Sequence, residues 1–177
     1  MNITEEQFLE AEVNTLNLTM QNADFVALAQ ELTELVKKYN PTSVLDYGCG
    51  TGVYSETMRQ AGLNVTAQDI FKSHRDYCKA NYPDLKVLQK PSKAELMVWI
   101  EVAEHMTDEQ IKKALKAVDP KIIVFSSTPN KTEFDADWGH INIKSEKEWL
   151  TMFKELGYKL IERPKTPTLW ALTFQKI

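Results

Sequence analysis

The stretch Asp46-Tyr47-Gly48-Cys49-Gly50-Thr51-Gly52 gathers three of the chain's six glycines into one loop, directly after the run Ser43-Val44-Leu45. Glycine lacks a Cβ, so it takes up positive φ and lets a ligand approach the main chain closely. A strand, a glycine turn and a helix over Val53–Ala61 would set unpaired helix N–H groups, and the positive end of the helix dipole, beside that ligand. Such a site suits a nucleotide. The dinucleotide fingerprint is G-x-G-x-x-G; here the third glycine comes one residue early, at Gly52, and Val53 stands where that pattern wants glycine. No Gly-Lys-Ser/Thr follows, so this is not a P-loop. Asp46, two residues before the first glycine, would repel a pyrophosphate and suits the cationic amino group of a ligand.

Two further groups could share the site. Leu63–Asp69 reads as a second strand ending in an acid, where a ribose-binding carboxylate is expected; Asp69 could accept from both ribose hydroxyls, with Ile70 and Phe71 enclosing an adenine. The alternative is that Asp69 caps a helix beginning near Lys72. After a predicted fourth strand comes Ile100-Glu101-Val102-Ala103-Glu104-His105-Met106, and ligands of open α/β sheets lie outside the carboxyl ends of the strands. If this segment turns helically, Glu101, Glu104 and His105 share a face. With His140, from Trp138-Gly139-His140-Ile141-Asn142, they make a donor set for Mg²⁺ or another divalent ion. In the structural alternative, Glu101 and Glu104 brace the loop by hydrogen bonds and His105 packs under the sheet edge.

The D-x-G-x-G-x-G loop resembles the first motif of the class I (Rossmann-like) S-adenosylmethionine (SAM) dependent methyltransferases, and the resemblance runs from about Ser43 to the C-terminus. Glu101, Val102, Glu104 and His105 match the E-V-x-E-H segment of one branch. The resemblance implies a SAM site built from Asp46, Tyr47, Gly48, Cys49, Gly50, Thr51 and Gly52, with Tyr54 and Thr51 near the methionine half. It places Asp69 on the ribose, Ile70 and Phe71 at the adenine, and Ile100 and Glu101 at the end of the fourth strand. Within the metal-dependent branch, the segment resembles that of ubiquinone-pathway O-methyltransferases. It also resembles small-RNA 3′-terminal ribose 2′-O-methyltransferases, whose distal histidine follows a T-P-N segment; Thr128-Pro129-Asn130 precedes His140 here.

The implied reaction is transfer of the SAM methyl group to an oxygen or nitrogen of a small polar metabolite. His105 or His140 is the first candidate base, because imidazole titrates near neutral pH, and Glu101 the second. Trp138, Phe134 and Trp170 could wall the acceptor pocket, although Trp170 reads as core in the terminal strand. The alternatives are a metal-assisted methyltransferase of RNA 3′-terminal ribose and a non-catalytic SAM-binding partner subunit.

The elements that must hold these residues follow from composition and pattern. The chain has 177 residues, 43% apolar and 26% charged, as expected of one soluble domain; the family resemblance implies a helical lid over 1–40 and a SAM-binding core over 43–177. A net charge of −4 leaves no electrostatic footprint for duplex nucleic acid or an anionic membrane, while a local basic groove stays open. The expected partner is a small molecule, for a cytoplasmic monomer or homodimer with no signal peptide or membrane-length apolar run. Cys49 and Cys78 have neither metal spacing nor a disulfide framework, and Cys49 is expected to pack rather than react.

The first forty residues read as helix, opened by a capping box at Thr4-Glu5-Glu6-Gln7 and stopped by Pro41. Asn14 to Asn22 is the polar stretch suited to a lid. Strands are predicted at Ser43–Tyr47, Asn64–Gln68, Leu85–Gln89, Leu96–Ile100, Lys121–Ser126, Tyr158–Glu162 and Thr168–Gln175. Helices are predicted at Val53–Ala61, Lys72–Asn81, Asp108–Val118 and Glu146–Leu156. The result is a three-layer αβα, Rossmann-like, mostly parallel sheet with an antiparallel C-terminal hairpin and an N-terminal helical extension. Lys90–Glu95 is too short for a crossover helix, which leaves the adenine wall thin and Gln89 a weak contact for the adenine edge. His74, on a predicted surface helix, is expected to be solvated.

Overall fold

The Leu96–Ile100 segment, LMVWI, shows why the sheet is covered on both sides. It is an unbroken apolar run, buried over its first four residues, as a parallel strand between two helical layers must be. Leu96 and Val98 face one layer, Met97 and Trp99 the other. This computed structural model describes residues 4–129, 131–133, 135–163 and 171–177.

Seven strands form one sheet: β1 (Val44–Tyr47), β2 (Val65–Gln68), β3 (Lys86–Leu88), β4 (Leu96–Ile100), β5 (Ile122–Ser126), β6 (Tyr158–Glu162) and β7 (Leu172–Lys176), in the order β3-β2-β1-β4-β5-β7-β6. β1 to β5 are parallel, and β7 runs antiparallel to both β5 and β6. The helices are α1 (Glu5–Glu10), α2 (Ala23–Lys37), α3 (Val53–Gln60), α4 (Lys72–Asn81), α5 (Asp108–Val118), α6 (Asp135–Trp138) and α7 (Glu146–Glu155). The predicted elements from Ser43 to Leu156 therefore stand to within a residue or so at each end. The predicted Thr168–Gln175 strand and its preceding turn fall partly on residues 164–170, which are outside the described residues; the described strand begins at Leu172 and ends at Lys176.

α2, α3 and α4 pack on one face, through Leu32, Val36, Met58 and Cys78. On the other face Phe125 sits at the centre, with rings of Trp99, Trp149, Phe153 and Phe174 at centroid distances of 5.8, 5.0, 4.9 and 6.2 Å. Truncating such a ring to alanine costs about 3–5 kcal/mol. α5 and α7 carry this second layer. Between β3 and β4 there is no helix, as the short connection predicts, so β2 and β3 lack a covering helix on that face among the described residues. Three capping boxes, Thr4/Gln7, Thr107/Gln110 and Ser145/Glu148, start α1, α5 and α7, each cap contributing about 1 kcal/mol.

The amino-terminal region departs from a simple pair of helices. α1 runs into a π-helical turn over Ala11–Thr15, and a loop follows to the α2 cap at Asn22. The polar stretch Asn14–Asn22 runs from the end of the π-helical turn through this loop, with Thr19 buried and Met20 packed against the cluster around Cys78. α2 ends at Lys37, four residues before Pro41, with Asn40 at φ +45°. No helix of the described residues is long and apolar enough to cross a membrane.

Candidate functional site

The strand order reverses between β1 and β4, and the crevice at such a switch point is where open α/β sheets bind ligands. The glycine loop leaves β1 here. Gly48, Gly50 and Gly52 have φ of +70°, +52° and +79°. A Cβ on Gly48 would lie 2.6 Å from a Val102 methyl, and one on Gly52 would lie 2.7 Å from Cys78 Sγ. These two positions therefore exclude any side chain on both backbone and packing grounds. The N–H groups of Gly48 and Cys49 donate to the Gln68 carbonyl at 2.8 and 2.9 Å, tying the loop to the end of β2.

Asp69 follows at once. Its two carboxylate oxygens accept from the N–H groups of Gly50 (3.0 Å) and Phe71 (2.9 Å), so it braces the glycine loop and the start of α4 together. It also lines the cavity; it does not cap α4, whose cap position is Phe71 and which has no side-chain cap hydrogen bond. Burial raises its pKa, against the charge of His74 and the two N–H donors.

The cavity has a volume of about 660 Å³. Tyr47, Gly48, Gly50, Asp69, Ile70 and Phe71 form one wall, and Glu101, Val102 and His105 another. Ile70 is 71% exposed at its mouth. On the uncovered face of the sheet the wall is completed by Pro91, Met106, Gln110, Lys113, Ala114 and Ala117. Gln89 is not part of it; its carbonyl accepts from Gln68 Nε2 (3.0 Å), and Gln68 lines the cavity instead.

Several expected contacts lie outside the cavity. Asp46 is 2% exposed, points to the α3 side and accepts from Ser55 Oγ at 2.5 Å; burial pushes its carboxyl up to about 6. Tyr54 packs against Phe25 at a tilt of 60°, with ring centroids 5.2 Å apart, and burial raises its phenol. Cys49, Thr51, Gly52 and Ile100 likewise do not line it. Cys49 packs beside Cys78, which together with burial holds its thiol well above the ordinary value, so it is inert.

At the end of β4, Glu101 adopts φ +53°, a strained conformation for a residue with a side chain. Its carboxylate accepts from Ser126 Oγ at 2.7 Å and Thr128 Oγ1 at 2.9 Å. Burial and the neighbouring Glu104 carboxylate push it up to about 7. The helical turn expected to include it begins only at Ala103, as a 3₁₀ turn ending at His105. Glu104, His105 and His140 come together, with one potential ligand atom of each within 4.8 Å of the others. Glu101 is not a member of that cluster, although its carboxylate lies against that of Glu104, so three of the expected four residues converge. The segment around His140 is drawn in by the Glu104 carbonyl, which accepts from the N–H groups of Ile141 and Asn142 at 2.8 and 2.9 Å.

The hydrogen bonds assign tautomers. His105 Nδ1 lies 3.3 Å from the Gly139 carbonyl, and His140 Nδ1 lies 3.0 Å from Asp135 Oδ1. A carbonyl and a carboxylate can only accept, so each Nδ1 carries a proton, and in the neutral ring Nε2 is the atom that holds the lone pair. Burial and nearby His140 hold His105 below its ordinary pKa. Trp138 lies on the same side, its ring 5.7 Å from that of Phe8. The other candidate walls, Phe134 and Trp170, and Asn130 of the T-P-N segment lie outside the described residues.

His74 overturns the expectation of a solvated residue. It is 1% exposed, lines the cavity, and places Nε2 3.0 Å from Glu12 Oε2 and Nδ1 3.2 Å from Ser73 Oγ. The amino-terminal segment packs over α4 and covers it. Its i, i+4 offset from buried Cys78 was the available signal that this face of α4 turns inward. Phe8 and Glu12, which the sequence reading did not single out, also line the cavity. Phe8 touches Phe71, His74, His105 and Trp138, with ring centroids 5.7 to 6.1 Å away.

Residues 20–163 match the family model described as a methyltransferase domain. The chain is similar to the ubiquinone biosynthesis O-methyltransferase of Rickettsia bellii, with 29% identity over 118 residues, covering 58% of this chain and 49% of that protein. It thus spans about half the length of the curated relatives it matches. Among solved structures, the N-methyltransferase NodS of Bradyrhizobium japonicum in complex with S-adenosylhomocysteine (SAH) superposes with a TM-score of 0.70 at 17% identity, over 96% of this chain and 97% of that one. The magnesium protoporphyrin IX methyltransferase of Synechocystis with bound SAM does so with a TM-score of 0.65 at 12% identity, over 100% of each chain.

Proposed function

Because the chain belongs to the methyltransferase-domain family, we propose that it transfers the methyl group of SAM to an oxygen or nitrogen of a small polar metabolite. One observation carries this reading. The glycine loop and Asp69 form one wall of the same cavity in which Glu101 and His105 form another. The cofactor would lie along Gly48, Gly50, Asp69, Ile70 and Phe71. The acceptor would enter between Phe8, Trp138 and the two histidines, an aromatic enclosure suited to a compact molecule. Relatives named as O- and N-methyltransferases accommodate either acceptor atom.

Methyl transfer is an in-line displacement driven by the sulfonium, so the protein's work is alignment, exclusion of water and removal of a proton. The Nε2 lone pairs left by the Gly139 and Asp135 hydrogen bonds make His105 and His140 the proton acceptors. Glu101 is held in place by Ser126 and Thr128, where it can accept a hydrogen bond from the acceptor. Isothermal titration with SAM and SAH tests the reading: folded protein that gives no heat with either is not such an enzyme.

A second, metal-assisted reading, in which the acceptor is an RNA 3′-terminal ribose, is favoured by the Glu104, His105 and His140 cluster. Two imidazoles and one carboxylate suit Mn²⁺, Fe²⁺, Co²⁺ or Zn²⁺ better than the Mg²⁺ suggested by sequence, because Mg²⁺ prefers oxygen ligands and its own water. Asp135 behind His140 is the orienting carboxylate such sites use. An ion there would lower the pKa of a hydroxyl acceptor. Activity that survives a chelator excludes this reading.

A further inference from the structure

We infer that Glu12, carried on the amino-terminal segment, is the residue that pairs with the ammonium group at the amino-acid end of the cofactor, and that His74 positions it. This rests on the SAM reading given above and assigns a contact within that site.

The acid expected to meet the ammonium, Asp46, is unavailable to it: the carboxylate faces α3, is bonded to Ser55 and does not line the cavity. Both oxygens of Asp69 already accept from backbone N–H groups. Glu12 does line the cavity. Its Oε1 and Oε2 each lie 3.4 Å from the point that a Cβ on Gly50 would occupy, so the carboxylate stands directly over the glycine loop, in the space the missing side chain leaves. That loop is where the methionine half of the cofactor approaches the main chain.

The orientation is specific. Glu12 Oε2 is held by His74 Nε2 at 3.0 Å, while Oε1 accepts no hydrogen bond among the described residues. The π-helical turn that contains Glu12 closes through Leu16 N–H to the Ala11 carbonyl at 2.9 Å, and Leu18 N–H reaches the Glu12 carbonyl at 2.9 Å. π-helical turns are frequently found at functional sites. Four residues earlier, Phe8 anchors the same segment on Phe71 and His74. A cationic –NH₃⁺ donating to Oε1 would complete the carboxylate with a charge-assisted hydrogen bond.

The competing role for Glu12 is a plain latch that fastens the segment to α4 without touching ligand. A ligand-by-mutant cycle separates the two. SAH and its des-amino analogue, in which hydrogen replaces the ammonium, are titrated into the full chain and into Glu12→Gln, with His74→Gln as a second variant. The expected result is a roughly 10- to 100-fold weaker affinity of Glu12→Gln for SAH, with equal affinities of both proteins for the des-amino analogue. His74→Gln, which leaves the carboxylate in place but unoriented, is expected to show a smaller loss for SAH alone. Equal losses for both ligands in Glu12→Gln, or no loss for SAH, overturn the inference while leaving the cofactor reading standing. Failure of the unaltered chain to bind SAH overturns the cofactor reading and this inference with it.

Discussion

Ser55 Oγ lies 2.5 Å from Asp46 Oδ2, and Asp46 is not among the residues that line the cavity. The acid that opens the motif thus secures the start of α3 from inside the core. Its carboxyl is pushed from 3.8 up to about 6, chiefly by burial. A folded-state pKa above the unfolded value means the native state holds the proton more tightly. Ionising Asp46 therefore costs stability progressively between pH 3.8 and about 6, and the full penalty applies above that range. Asp46→Asn keeps an acceptor for Ser55 without the charge. It is expected to raise stability at pH 7 by on the order of 1–3 kcal/mol and to have no such effect near pH 3.5. Thermal melts at the two pH values check this; equal melting temperatures of variant and parent at pH 7 would contradict it.

His74 gives a pH dependence of the same direction in a higher window. Burial pushes its pKa down, but the hydrogen bond and charge of Glu12, with the charges of Asp69 and Glu5, outweigh burial and hold it above the ordinary 6.5. The protonated ring is favoured in the folded state, so this contribution is complete below pH 6.5 and is lost as pH rises through the raised value. Urea unfolding of the parent is expected to weaken as pH climbs from 6.5, with a flatter profile for His74→Gln. Parallel profiles would show that the imidazole is not charged in the fold.

Gly48→Ala brings a Cβ to 2.6 Å from Val102 Cγ2 at a φ of +70°. Strain and clash together are expected to cost roughly 2–4 kcal/mol and to weaken SAH binding by more than tenfold. Adding Val102→Ala removes the clash but not the backbone strain, so the double variant should recover part of the stability. Additive losses in denaturant melts would mean that the two residues do not press on one another.

For the metal-assisted reading, one Mn²⁺ site is expected. His140→Ala should abolish it, and Asp135→Asn should weaken it about 10- to 100-fold by releasing the imidazole that Asp135 orients. Glu101→Gln should leave it intact, because Glu101 is bonded to Ser126 and Thr128 and stands outside the cluster. Electron paramagnetic resonance of free Mn²⁺ during titration measures each case; loss of the site in Glu101→Gln would restore a four-ligand set.

Local signals made the strands, the helices from Val53 to Glu155 other than the short α6, and the place of the glycine loop legible in the residues alone. Glycine spacing at 48, 50 and 52, apolar runs such as Leu96–Ile100, and capping boxes at Thr4, Thr107 and Ser145 depend on neighbours a few residues away. The missing crossover helix was equally legible, since Lys90–Glu95 is too short to hold one. Tertiary structure alone decided which acids face the cavity. Asp46 and Glu12 are both carboxylates, but strand alternation sends one into the core while the amino-terminal segment brings the other back over a loop 38 residues further on. His74 shares the inward face of α4 with Cys78, but its partner is set by the amino-terminal segment, which brings Glu12 against it from 62 residues away. Glu101 has a positive φ and precedes the 3₁₀ turn that carries Glu104 and His105, and its carboxylate is held by Ser126 and Thr128 from the end of β5 and the residues after it. Local pattern encodes which face of an element is apolar; the partners of its polar groups are set by packing between segments distant in the chain.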